Sequence, residues 1–154
     1  MLLSDILTEK RIKAPLAATD KSGAIAELVD LLAADGAVAD RDKALAAVLE
    51  REQTRTTGIG NAIAIPHGKT PAVSGLVMAV GLAGVPIDFQ SIDGKGVILV
   101  IMVLSPPDQT GPHIQALAHV SRLLSHDAFR GKLLSAKSAA EAMRLIKGQE
   151  ETVK

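Results

Sequence analysis

The sequence predicts an α/β protein in which buried strands lie between two layers of helices, a three-layer sandwich. Two observations carry this. The runs Leu76–Leu82 (LVMAVGL) and Val97–Leu104 (VILVIMVL) are continuously apolar rather than alternating, the pattern of strands covered on both faces. Segments with apolar residues at helical spacing lie both before and after them, so helices are available for each face.

In chain order, the first helix is expected over Ser22–Asp35, where Ile25, Leu28, Val29 and Leu32 share a face. Ser22 stands where an N-cap would, and Gly36 follows as a stop. A second helix is expected from Asp40 to about Glu52, with Leu45, Val48 and Leu49 as its apolar face. RTTGIGN then reads as a glycine-punctuated loop and Ala62–Ile65 as a short strand. Between the two apolar runs, VPIDFQSIDGKG reads as a turn-rich connection. The loop SPPDQTGP leads into a helix over Gly111–Leu124, followed by helical stretches at Ala128–Leu134 and Ser138–Ile146. The tail, QEETVK, is polar and is expected to fray. Strand order and direction do not follow from these patterns.

At 154 residues the chain is expected to form one domain, 1–154, with a proper core. With 47% hydrophobic and 22% charged residues it reads as globular. The 17 basic residues are scattered and the formal net charge is zero, which argues against a nucleic-acid or anionic-membrane surface. Phe89 and Phe129 are the sole aromatics besides histidine, so base-stacking platforms are absent. Without cysteine there is no disulfide framework, thiolate metal site or cysteine nucleophile. MLLSDILTEKR lacks the long apolar core of a secretory signal, and Val97–Leu104 is too short to span a bilayer. A cytoplasmic protein without membrane insertion is expected.

Candidate chemistry centres on the histidines. In the helix after Pro112, His113 shares a face with Leu117, Val120 and Leu124, which must be the buried one. It also sits in the first turn, beside N–H groups carrying partial positive charge. His119 instead lines up with Gln115, Arg122 and His126, so His119 and His126 are expected on the solvated surface. His67 ends the strand in AIAIPHGK. Pro66 stiffens the approach to it, and Gly68 leaves room for a bulky group or a partner's backbone. The loop TGIGN upstream is expected to offer N–H groups from Gly58, Gly60 and Asn61 to an oxyanion. Arg51 and Arg55, at and beyond the second helix end, are surface charges or phosphate partners. Two chemistries fit this set. One is a phosphohistidine site, where one imidazole is the nucleophile and the other groups hold phosphoryl oxygens. The other is a metal site, as in a metal-dependent hydrolase, using His67, His113 and Asp108 or Asp88. It lacks any of the usual ligand spacings.

The stretch from Arg51 to Lys69, RE-x4-TGIGNAIAIPHGK, resembles the signature of type-2 IIA domains of the bacterial phosphoenolpyruvate-dependent phosphotransferase system, the fructose/mannitol class. PIDFQSIDGKGV at Pro86–Val97 and VLSPPDQTGPHIQALAHVSRLL at Val103–Leu124 match as well, and the resemblance covers essentially the whole chain. TGIGNAIAIPHG and the loop PxDQTxxH are most similar to the nitrogen-regulatory IIA branch. The resemblance implies a mixed β-sheet flanked by helices on both faces, and no cofactor at this step. It implies phosphorylation of His67 on Nε2 by the phosphohistidine of an HPr-like carrier. His113 would be the second active-site histidine, and Arg51, sixteen positions before His67, the arginine that helps hold the phosphoryl group. Arg55 has no match in the family pattern. Implied targets are a IIB domain or, in nitrogen/potassium-type regulation, a transporter or sensor kinase. The absence of a fused IIB or membrane segment favours the regulator, with a sugar-specific IIA as the alternative.

Overall fold

The computed structural model describes residues 2–152. Two short 3-10 turns, Leu3–Asp5 and Glu9–Arg11, precede β1 (Ile12–Leu16), α1 (Lys21–Ala34) and α2 (Arg41–Thr54). Then come β2 (Gly58–Gly60), β3 (Ile63–Ala64), β4 (His67–Lys69), β5 (Val77–Ile87) and β6 (Val97–Ser105). The helices α3 (Thr110–Leu124), α4 (Asp127–Leu134) and α5 (Ala139–Thr152) follow. The sheet runs β1-β5-β6-β3-β2, with β4 also on β6. β1 lies parallel to β5, β5 antiparallel to β6, β3 and β4 parallel to β6, and β2 antiparallel to β3. The sheet is therefore mixed.

The two apolar runs are strands with both faces dry. Leu99, Ile101 and Val103 of β6, with Met78, Val80 and Leu82 of β5, pack into one core with α3, α4 and α5. The alternate residues Val100, Met102 and Leu104, with Val77 and Ala79, pack into a second core with α1 and α2. This is the three-layer α/β sandwich, because side chains that alternate across a strand reach two separate helical layers.

Several elements differ from expectation. The N-cap of α1 is Asp20, whose carboxylate accepts from the Gly23 N–H at 2.7 Å, not Ser22. On α2 the buried stripe is Ala44, Val48 and Glu52, while Leu45 and Leu49 are half-buried. Part of RTTGIGN is strand β2, turned back onto β3 by Asn61 and Ala62, both at positive φ. β5 continues to Ile87, absorbing the start of the expected connection. β1 contains Pro15, which the strand tolerates at a sheet edge.

The tail does not fray where it is described. Gln149–Thr152 continue α5, and Glu150 is 2% exposed. Val153 and Lys154 lie outside the described residues. Glu150 also overturns the surface expectation for His119, whose Nε2 lies 2.9 Å from the Glu150 carboxylate with only 14% of the side chain exposed. His126 is exposed, as its helical phase requires.

Candidate active site

β3 and β4 hold one register on β6, with Ile63 opposite Leu99 and His67 opposite Val103. They are one strand interrupted at Ile65–Pro66. Pro66 has no N–H to give the ladder, but its carbonyl still accepts from Val103 at 3.1 Å. The break leaves the Ile65 carbonyl 3.0 Å from Nδ1 of His67. A carbonyl only accepts, so the neutral ring carries its proton on Nδ1, and Nε2 keeps the free lone pair. Gly68 faces the chain's own helix: a Cβ there would stand 3.4 Å from the backbone of Ala47 and Val48 on α2. The glycine seats β4 against α2 rather than admitting a partner's backbone.

His113 comes from the first turn of α3 and is 4% exposed. Its ring centroid is 5.4 Å from that of His67, with the planes inclined at 60°. Nδ1 of His113 meets Ser105 Oγ at 2.6 Å. Burial is the main force on both rings. It pushes His67 below the ordinary imidazole value, helped by the Arg51 charge and opposed by the Ile65 bond and Glu52. Burial with the neighbouring His67 and Lys69 pushes His113 down to about 4. Both rings are therefore neutral near pH 7.

Arg51, in the last turn of α2, lines the two grooves that meet at His67, one shared with Gly58 and Ile92, the other with His113 and Lys69. Its Nη1 donates to the Arg55 carbonyl at 3.0 Å. The structure thus brings His67, His113 and Arg51 together. It does not assemble the expected loop cradle. Gly58 reaches the groove, but its N–H is committed to Thr56 Oγ1 at 3.1 Å. Gly60 is paired to β3, and Asn61 forms the exposed hairpin turn; neither lines the groove. Two groove residues and one buried residue behind His113 lie outside the expected site. Arg55 lines the first groove, Lys69 the second, and Ser105 supports His113 from beneath. A serine closing an otherwise apolar run was the one available signal for Ser105. Among the described residues no three His, Asp or Glu side chains converge as a metal would need, so Asp88 and Asp108 do not join the histidines.

Residues 5–149 match the family model of the phosphoenolpyruvate-dependent sugar phosphotransferase system, EIIA 2. The chain is a type-2 IIA protein. It is 47% identical to the fructose-specific EIIA component of Haloferax volcanii over 77% of each chain. It is 33% identical to the nitrogen regulatory protein of Escherichia coli over 97% of this chain and 92% of that one. The crystal structure of the nitrogen regulatory protein IIA-Ntr from Neisseria meningitidis superposes with a TM-score of 0.86 at 26% identity, covering 94% of this chain and 98% of that one.

Type-2 IIA proteins are phosphocarriers that transfer phosphoryl groups through histidine. The site suits that chemistry. It offers a neutral imidazole with a free lone pair, a second neutral imidazole, and a guanidinium whose charge favours a phosphoryl group. Among the described residues no helix is long and apolar enough to cross a membrane.

Proposed function

We propose that His67 accepts the phosphoryl group on Nε2 from the phosphohistidine of an HPr-like carrier. In this reading His113 and Arg51 hold the phosphoryl oxygens, and the chain acts as one cytoplasmic domain. The observation that carries it is the bond from His67 Nδ1–H to the Ile65 carbonyl, which leaves Nε2 as the sole nucleophilic nitrogen. In the transfer, the Nε2 lone pair forms the new N–P bond as the donor's N–P bond breaks. The released pair returns to the donor imidazole. Negative charge on the equatorial oxygens is met by Arg51 and by an N–H of His113. The exposed side chains Ile59, Ile92 and Ile114 flank the grooves and supply an apolar rim on which a carrier would dock.

The test is incubation with phosphoenolpyruvate, enzyme I and HPr, followed by assay for acid-labile, base-stable phosphate. Wild type is labelled, His67→Ala is not, and His113→Ala is labelled but holds or passes phosphate poorly. Labelling that survives His67→Ala overturns the assignment.

Two destinations for the phosphate rest on different observations. Similarity to nitrogen regulatory proteins over nearly the full chain supports display to a regulated transporter or sensor kinase, in nitrogen/potassium-type control. The 47% identity with a fructose-specific EIIA supports delivery to a IIB domain. Mixing labelled protein with a fructose-type IIB separates them: rapid loss of label to IIB favours the sugar carrier, and retention favours the regulator.

A further inference from the structure

We propose that Ser105 is a positioning residue for the transfer: its hydroxyl donates to Nδ1 of His113 and fixes the tautomer whose Nε2–H serves the phosphoryl group. This rests on His67 as the phosphorylated residue. Ser105 closes β6, pairs with Lys69 of β4, and is fully buried. Its backbone carbonyl accepts from Thr70, which leaves the hydroxyl as the group that addresses α3. Oγ lies 2.6 Å from His113 Nδ1 and has no other hydrogen-bond partner among the described residues.

A hydroxyl and a neutral imidazole can share this bond in two ways. If Nδ1–H donates to Oγ, the serine proton is buried with no acceptor, at the cost of an unsatisfied polar group. That arrangement also turns the bare lone pair of Nε2 toward an anionic phosphoryl group. If the serine O–H donates to Nδ1, the hydroxyl proton and the Nδ1 lone pair are both served, and Nε2 carries the N–H that an anion needs. The choice is consequential because His113, held at about 4, is neutral at working pH and has a single N–H to place. His67 and His113 then have opposite tautomers, each set by one oxygen beneath the ring. The Ile65 carbonyl, an obligate acceptor, frees Nε2 of His67 for nucleophilic attack, and the Ser105 hydroxyl, acting as donor, arms Nε2 of His113 for hydrogen bonding. It also gives a polar side chain a reason to end a strand whose other residues are apolar.

The test reads the tautomer directly, from long-range proton–nitrogen correlations of the imidazoles in nitrogen-15-labelled, unphosphorylated protein at pH 7. Wild-type His113 is expected as the Nε2–H form, Ser105→Ala as a mixture or the Nδ1–H form, and Ser105→Thr as wild type. In parallel, the lifetime of phosphorylated His67 is expected to shorten on the order of tenfold in Ser105→Ala, as for loss of a hydrogen bond to a charged group. Ser105→Thr restores it. An Nδ1–H tautomer in wild type overturns the proposal, and so does a Ser105→Ala protein with unchanged tautomer or unchanged lifetime. Because the tautomer is read without phosphate, a failure to label His67 counts against the phosphorylation reading and leaves the NMR result to decide for or against the Ser105–His113 bond.

Discussion

A histidine that takes phosphate near neutral pH has to be unprotonated there, and His67 and His113, the two rings proposed for the transfer, meet that condition through burial. Arg51 adds to the effect on His67, since its charge disfavours the imidazolium while favouring the phosphoryl anion. Arg51→Ala is therefore expected to raise the NMR titration midpoint of His67 and to slow phosphoryl transfer about a hundredfold, the scale of losing one electrostatic stabiliser. A midpoint that stays put would remove Arg51 from the site. His113 gives a stability prediction of definite sign. Its folded value of about 4 lies below the ordinary 6.5, so the unfolded chain binds the proton more readily. The neutral ring's advantage is complete above the ordinary value and is lost as pH falls from about 6.5 to about 4, a change on the order of 3 kcal/mol. Urea unfolding across that window should show this slope in wild type and a reduced one in His113→Gln, where no proton can be taken up.

At the scale of elements, the site depends on how α2, the β2–β3 hairpin and the loop after β5 meet. Glu52, buried on α2, accepts from Thr57 N–H at 2.8 Å and from its hydroxyl at 2.5 Å, and pairs with Lys21 at 2.8 Å. It fixes the chain between Arg51 and Gly58. Gly58 in turn lies against Ser91, whose Oγ would be 2.3 Å from an added Cβ. Gly58→Ala must push away the loop that carries Ile92, at a cost of about 1–3 kcal/mol as in other overpacked sites. Thermal unfolding measures that loss, and slower labelling by HPr would accompany it if Ile92 belongs to the docking rim. These contacts explain which elements were legible in the sequence. The apolar faces of α1 and α3 and the two long strands announce themselves because each buries aliphatic side chains at a fixed period. β2 and β1 do not, since one is glycine-rich and the other is a short, proline-bearing edge. The position of His67 at the strand's interruption was legible from Pro66 and the buried phase of His113 from its helix, whereas Gly68 serves the packing of β4 on α2 and not an open approach to His67. The oxygens that orient them, at Ile65 and Ser105, and the cation of Lys69 depend on pairing across β4 and β6, which local pattern does not encode.

Across the whole molecule, the two ends of the chain are tied by one carboxylate. Glu150 of α5 accepts from the Leu3 N–H, from the Ser4 N–H at 3.0 Å, and from His119 at 2.9 Å. Polarity in QEET suggested a loose tail, but a buried acceptor with three donors makes this turn of helix a clasp. The clasp closes the layer of α3, α4 and α5 over the first core, and its partner His119 sits on the helix whose first turn holds His113. Burial alone would raise the Glu150 carboxyl; the bonds to His119, Leu3 and Ser4 prevail and hold it below the ordinary carboxylate value. A carboxylate depressed in this way stabilises the fold above its unfolded value and stops doing so as pH falls through the carboxylate range. Glu150→Gln keeps the shape and one acceptor oxygen but loses the charge. It is expected to cost about 2 kcal/mol at pH 7, the scale of hydrogen bonds to a charged acceptor, and to flatten the acid limb of the stability curve. Amide exchange at Leu3 and Ser4 should quicken in the same variant while the amides of β6, whose protection belongs to the sheet, keep their order. Unaltered exchange at Leu3 and Ser4 would mean that the carboxylate charge is not what holds the N-terminal turn.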